Sequence, residues 1–395
     1  MHRRFKTQPF HIAFLSSVIL LAPPSSFGGN VFCKSRTKAK PEKANLLKKL
    51  PKDVSNLMMQ WLTPDDLKRS LAPGSRLCIQ EAKRGLDQRK KFHKRENEKL
   101  AKLRFKLLVT LQTPSLLKNC FTSVYARENK IYVGTGSGFF ISEDGGIAWR
   151  AVTNLNGNVN RVYVHGDKIY VGIFDFGLAI SEDKGTTWRT VTQADGLGTN
   201  HVRTVYAQGE KIYVGTSNGL SISVDGGVTW RTKIQGDWLG SIVRSLYVQG
   251  DKIYAATNRG LSISIDDGLT WRTVTTRQGL ASNWVQSVHA QGDKVYAATD
   301  RGLSVSVDGE INWQTVTIAQ GLGSNDVSSV YVKGGAIYAA TTRGLSISVD
   351  DGISWHTKAE EHGLKKGELY QVYAQGKRIY VAGSEGLFIS QDDSL

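Results

Sequence analysis

From about residue 107 to the end, the chain alternates apolar and polar positions in short runs with the period of β-strands, and the runs recur in a fixed order. The stretch from Val327 to Ala359 shows the unit well: SSVYV, AIYAAT, GLSISVDDG and WHTK. Pairs such as Gly250-Asp251 and Gly292-Asp293 separate the first two runs, a hairpin signal because both residue types tolerate positive φ. The aspartate of the third run returns at Asp144, Asp183, Asp225, Asp266, Asp308, Asp350 and Asp392, with spacings of 39, 42, 41, 42, 42 and 42 residues. A tryptophan follows at Trp149, Trp188, Trp230, Trp271, Trp313 and Trp355. A period of this length filled by four antiparallel strands, with no room for a helix, predicts an all-β seven-bladed β-propeller over 107–395. The outer WRTVT-type strand occurs only six times after its partners. Leu107–Gln112, with Leu107 standing 18 residues before Tyr125 as Trp313 stands before Tyr331, is expected to pair with Gly386–Ser390 and close the last blade.

Residues 1–106 have a different character. They carry 25 Lys and Arg against 8 Asp and Glu, whereas the repeat region holds 26 basic and 27 acidic residues. The excess positive charge therefore lies ahead of the repeats, and the propeller itself offers no general basis for nucleic-acid binding. Residues 1–30 have the layout of a signal peptide: Arg3, Arg4 and Lys6, an apolar stretch from Phe10 to Ala22 too short to span a bilayer, then Pro23 to Gly29. Export to the periplasm or beyond is the expectation. A basic tether over 31–49 leads into a helical region over 50–106, with Pro51 and Pro64 at helix starts and Pro73-Gly74 as a break. Its last part, Glu81 to Lys106, is densely charged with sparse apolar positions at Leu86, Phe92, Leu100 and Leu103. This reads as a solvated stalk, or as a basic surface for an acidic partner or membrane headgroups. Cys33, Cys78 and Cys120 form neither a metal-ligand pattern nor a disulfide framework, so no cofactor or metal is expected.

The string Ser223-Val-Asp225-Gly-Gly227-Val-Thr-Trp230 and its counterparts resemble the Asp-box, or BNR repeat, of sialidases, sortilin-like receptors and Ycf-type photosystem assembly factors. The glycine- and asparagine-containing stretches such as Gly321 to Asn325 are also similar to two-component-regulator propeller repeats. Independently of the resemblance, an aspartate in a tight turn accepts backbone N–H groups, the glycine supplies a left-handed conformation, and the tryptophan covers the outer rim. The role is structural. Blade five has Glu310 where blade three has Gly227, so that turn is expected to be strained or rebuilt.

In such a ring, the second-to-third-strand turns and the blade-to-blade connections share one face, the expected ligand face. The turns display Asp175, Asn218, Arg259, Arg301 and Arg343. The connections display His201, Trp238, Trp284 and Asp326. The three arginines fall at one position of three consecutive blades and predict an arc able to grip carboxylates or phosphates. The inner strands supply Arg161, Arg203 and Arg244 but no acidic partner, so a sialidase-like exo-glycosidase remains the weaker alternative. Gly215-Thr-Ser217-Asn-Gly219 spells a nucleophile elbow but occupies a hairpin slot with strand, not helix, after it.

Leu50, Pro51, Leu57, Leu62 and Leu67, with Trp61 and Thr63-Pro64, resemble an F-box, the helical motif that docks on a ubiquitin-ligase adaptor. That resemblance implies a substrate adaptor delivered into a host cell. The leading expectation is a non-catalytic, exported, monomeric propeller that binds a protein or carbohydrate on its loop face.

Overall fold

The computed structural model describes residues 76–108, 120–234 and 242–390. The signal-peptide, tether and F-box-like readings (Leu50, Pro51, Leu57, Leu62, Leu67) lie outside the described residues, as do Trp238, Asp392 and the 109–112 part of the expected closing strand. The chain divides into two compact units, residues 1–92 and 93–395. Of the first, the described residues are helical, the beginning of the helix Arg76–Lys102.

Residues of the second unit form seven four-stranded antiparallel sheets. Each inner strand packs on the inner strand of the next blade, and that of the last, Leu369–Gln375, packs on that of the first, Phe121–Arg127, so the ring is closed. The core is divided among the seven interfaces between sheets. Between blades four and five, for instance, Tyr254, Ala256, Leu261 and Ile263 meet Val285, Val288, Val295 and Ala297. Each valine, leucine or isoleucine side chain so buried contributes about 1.5–3 kcal/mol, which explains why these residues recur at fixed positions of every copy.

The seventh blade takes its outer strand from upstream, but in a different register from that expected. Phe105, Lys106 and Leu107 pair with Ser390, Ile389 and Phe388, and the Leu108 N–H donates to Leu387 O. The closing strand thus begins two residues ahead of Leu107. Phe105 opposes Ser390 as Trp313 opposes Ser306, so a buried phenylalanine stands in the tryptophan's place in the seventh blade. The expectation erred because it assumed a constant spacing: Phe105 precedes Tyr125 by 20 residues, not 18. The charged stretch before the strand is also more than a solvated stalk. Leu100 and Leu103 are fully buried beside Tyr338, Ile347 and Val372 at the interface of blades six and seven, and His93 Nδ1 lies 2.9 Å from Val349 O.

The aspartate turns share one hydrogen-bond pattern. In blade three, Ser223 Oγ donates to Asp225 Oδ1 (2.8 Å) and accepts the Gly227 N–H (2.8 Å). Asp225 Oδ1 also accepts the N–H groups of Val228 (3.1 Å) and Thr229 (2.9 Å), and the Trp230 indole donates to Gly227 O. The hydrogen bonds from Thr187 hold the Asp183 carboxyl down at about 2 in the equivalent turn, so this turn stays ionised through moderate acid. Two consecutive residues of each described turn are left-handed, and Glu310 in blade five adopts φ 73° where the others have glycine. Its carboxylate, almost wholly buried, accepts from Tyr254 Oη (2.7 Å) and pairs with Arg272, both in blade four. The turn keeps its shape, and the strain is offset by a rivet between blades.

Replacing Phe105 with alanine should lower the free energy of unfolding by about 3–5 kcal/mol; urea denaturation checks this, and an unchanged midpoint would contradict the closure. Glu310→Gln, which keeps the shape and removes the charge, should cost about 1–3 kcal/mol in the same assay.

Candidate functional site: the loop-face mouth of the channel

Every inner strand carries a β-bulge after its first residue: the ladder skips from Phe121 to Ser123, from Val202 to Thr204 and from Val285 to Ser287, and likewise in the other four blades. An unpaired residue at a bulge is released from the alternation of the strand and can be re-aimed. The seven bulge residues, Thr122, Asn160, Arg203, Arg244, Gln286, Ser328 and Tyr370, converge with Cys120 on one cavity of about 350 Å³. They stand at the start of the inner strands, on the face where the second-to-third turns and the connections meet. That meeting is direct: Ser217 N–H donates to His201 O and Thr342 N–H to Asp326 O.

Several members of this ring tie one blade to the next. Asn160 Nδ2 donates to Val202 O (2.8 Å), Gln286 Nε2 to Asp326 Oδ1 (2.7 Å), and Thr122 Oγ1 bonds Val159 O. The two arginines are held differently. Arg203 Nε donates to Ser217 Oγ (2.8 Å), while the Arg244 guanidinium lies 3.9 Å from the ring centre of Trp284. Desolvation lowers the pKa of both, and for Arg244 the neighbouring charge of Arg203 adds to the effect.

Three residues further along each inner strand, Tyr125, Tyr163, Tyr206, Tyr247, His289, Tyr331 and Tyr373 form an unbroken girdle of aromatic rings with successive centroids 4.3–5.9 Å apart. Burial pushes the hydroxyls of Tyr247 and Tyr331 up to about 12, so they remain protonated donors. Burial also lowers the His289 imidazole to about 3, with the positive charge of Arg161 contributing. Arg161 is itself lowered to about 10 by burial, opposed by Tyr163 and Tyr373. Its Nε lacks a partner.

The residues expected at the site fall into three groups. Trp284 and Asp326 support the mouth through Arg244 and Gln286. His201 Nε2 meets the Asp175 carboxylate, and the Phe174 ring lies tilted against the imidazole with centroids 4.5 Å apart. Asn218, Arg259, Arg301 and Arg343 occupy equivalent hairpin turns, where the N–H of each donates to a threonine hydroxyl; their side chains are exposed and do not line the mouth. Ser217 of the elbow-like string sits in such a turn and accepts from Arg203. The connection residues Asn200, Asn283 and Asn325 turn their side-chain oxygens to backbone N–H groups at the start of one-turn 3₁₀ segments. Sequence reasoning missed the bulge ring, although its signal is visible: one position that varies from blade to blade between a fixed apolar residue and a mostly small polar one. Among the described residues, no group of His, Cys, Asp or Glu side chains is placed to hold a metal, and no helix is long and apolar enough to cross a membrane.

These features define a β-propeller whose central channel is ringed by aromatic side chains, with a polar mouth on its loop face. Residues 176–392, more than half of the chain, match the family model described as outer membrane protein assembly factor BamB, and the chain belongs to that family. Solved structures with the same fold include the extracellular domain of a putative hybrid two-component system from B. thetaiotaomicron (19% identity, TM-score 0.63), which covers 73% of this chain and 41% of that one. The chain therefore spans about two-fifths of that protein. YCF48 from Cyanidioschyzon merolae (15% identity, TM-score 0.57) covers 73% of this chain and 98% of its own. A structure of YCF48 bound to D1 peptide aligns over 73% of this chain and 94% of that one (16% identity, TM-score 0.56). No curated protein matches the sequence.

His289 yields a pH prediction. The unfolded imidazole takes up a proton near 6.5 and the folded one only near 3, so its contribution to stability is full above 6.5 and falls as pH drops through this window, by about 1.4 kcal/mol per pH unit. His289→Tyr, which installs the residue of the other six blades, should flatten the decline in unfolding free energy between pH 7 and pH 5. An identical slope in the variant would contradict the burial of the neutral imidazole.

Proposed function

We propose that the protein is an exported, non-catalytic Asp-box propeller that binds a protein or glycan ligand at the loop-face mouth of its channel. The observation that carries this reading is the convergence of one re-aimed bulge residue from each blade on a single open cavity. A bulge repeated seven times costs seven ladder positions, and its side chains vary most where they meet. The mouth offers amides, hydroxyls and guanidinium groups, which recognise polar ligands, and lacks a pair of facing carboxylates for glycoside hydrolysis. The similar proteins support the reading: the matched family is that of an outer membrane assembly factor, one similar structure is the extracellular domain of a putative two-component system, and another is YCF48 with a bound peptide. The Asp175–His201 pair and the exposed Arg259, Arg301 and Arg343 extend the contact surface around the mouth. The basic region before the propeller is assigned a separate role, docking on an acidic partner or on membrane headgroups.

Ser328→Trp fills the mouth from a half-buried position. Capture of proteins and glycans from an extracellular fraction and a glycan array by the full chain should fall at least tenfold in this variant, and remain unchanged in Lys294→Glu on the opposite face. Equal capture by Ser328→Trp, or turnover of any member of a fluorogenic glycoside panel, would overturn the proposal.

A further inference from the structure

The polar groups around the mouth are not equally engaged. The side chains of Thr122, Asn160, Gln286 and Ser328 are committed to hydrogen bonds within or between blades. Arg203 and Arg244 are committed by one edge or one face only: Nε of the first to Ser217, the plane of the second to Trp284. Neither forms an ion pair with an aspartate or glutamate among the described residues, and Arg244 Nε is buried without a hydrogen-bond partner. Two guanidinium groups from adjacent blades, stripped of part of their water and lacking a carboxylate, repel each other across a small cavity. Ordinary surface arginines relieve such repulsion by swinging into solvent. Here the stacking on Trp284 and the bond to Ser217 hold them in place, and pre-positioned forks are what bidentate oxyanion recognition requires.

We infer that Arg203 and Arg244 form an oxyanion site in the channel mouth, where their free N–H groups chelate a carboxylate or sulfate group of the ligand. The inference rests on the loop-face reading above and names the chemistry that the site selects. The cavity of about 350 Å³ admits one side chain, chain end or sugar unit, not a folded surface. The near-neutral repeat region argues against a polyanion, which needs a broad basic track. Carboxylates come from acidic side chains, chain termini or uronic acids, and sulfates from modified sugars; both present oxygens spaced to accept two N–H groups.

The test is thermal unfolding of the full chain at pH 7 with sodium citrate or sodium sulfate titrated against sodium chloride at matched ionic strength. The wild type should show a saturable rise in Tm, on the order of 5 °C, with at least one of the two anions. A stronger response to citrate identifies a carboxylate site, and a stronger response to sulfate a sulfate site. Arg203→Gln and Arg244→Gln, each installing the residue that blade five carries at that register, should lose the saturable part, while Arg203→Lys should retain a weakened response. No saturable rise in the wild type, or the same rise in the Arg203→Gln/Arg244→Gln double variant, would overturn the inference. If anions saturate the site while Ser328→Trp still captures its partner, the oxyanion site stands and the loop-face reading fails. The converse pattern leaves the loop-face reading standing and sinks the oxyanion site.

Discussion

Neighbouring inner strands in this ring do not hydrogen-bond as a sheet, so their alignment depends on isolated bonds from one blade to the backbone of the next. The third residue of the inner strand supplies many of them. Ser123 Oγ accepts the Val162 N–H, Ser287 Oγ that of Val330, Ser329 Oγ that of Val372, and Gln371 Oε1 that of Val124 across the seam where the ring closes. Each satisfies a buried donor that would otherwise cost about 1–3 kcal/mol, and each fixes the height of one blade against its neighbour. With that height fixed, the aromatic rings come into contact and the bulge residues meet at one level. The girdle and the mouth are thus consequences of the same staggered placement.

The pattern is not universal: Thr204 Oγ1 of blade three is buried without a partner, and blade two departs furthest. It carries Arg161 at the third position, a residue with no acceptor to offer, and the long side chain instead sits among the girdle, within electrostatic reach of Tyr163, Tyr373 and His289. A cation placed there is tolerated because the aromatic faces and protonated hydroxyls around it carry partial negative charge. His289 faces it from blade five, and a neutral imidazole suits a site already holding one positive charge. The departures from seven-fold repetition are therefore linked across the channel.

Much of the architecture was legible in the sequence because repetition supplies its own controls: seven aspartates in register fix blade number, and strand-type periodicity fixes blade content. The borrowed strand was legible in kind, but its register was not, since the spacer from Phe105 to Tyr125 is 20 residues where four of the six tryptophan-led counterparts have 18, and nothing local announces the difference. Glu310 was recognised as an anomaly, but its partners Tyr254 and Arg272 lie in another blade and could not be named. The mouth escaped notice for a physical reason. Strict alternation assigns Arg203 and Thr204 to opposite faces, and a bulge cancels that rule without a sequence mark of its own. The hairpin arginines Arg259, Arg301 and Arg343, by contrast, are conspicuous in the sequence and exposed in the structure.

The borrowed outer strand also bears on how the molecule comes into being. Phe105–Leu107 is made before any blade, yet its partner Gly386–Ser390 is the final strand of the ring. During synthesis this segment must wait, its backbone groups and the Phe105 ring unsatisfied, until the strand Gly386–Ser390 has emerged. Six sheets with similar edges are meanwhile available for mispairing. The helix directly ahead of the waiting strand is dense in charged residues, a composition that opposes aggregation of a flanking strand. The buried leucines at its end then lock only when blades six and seven are both present.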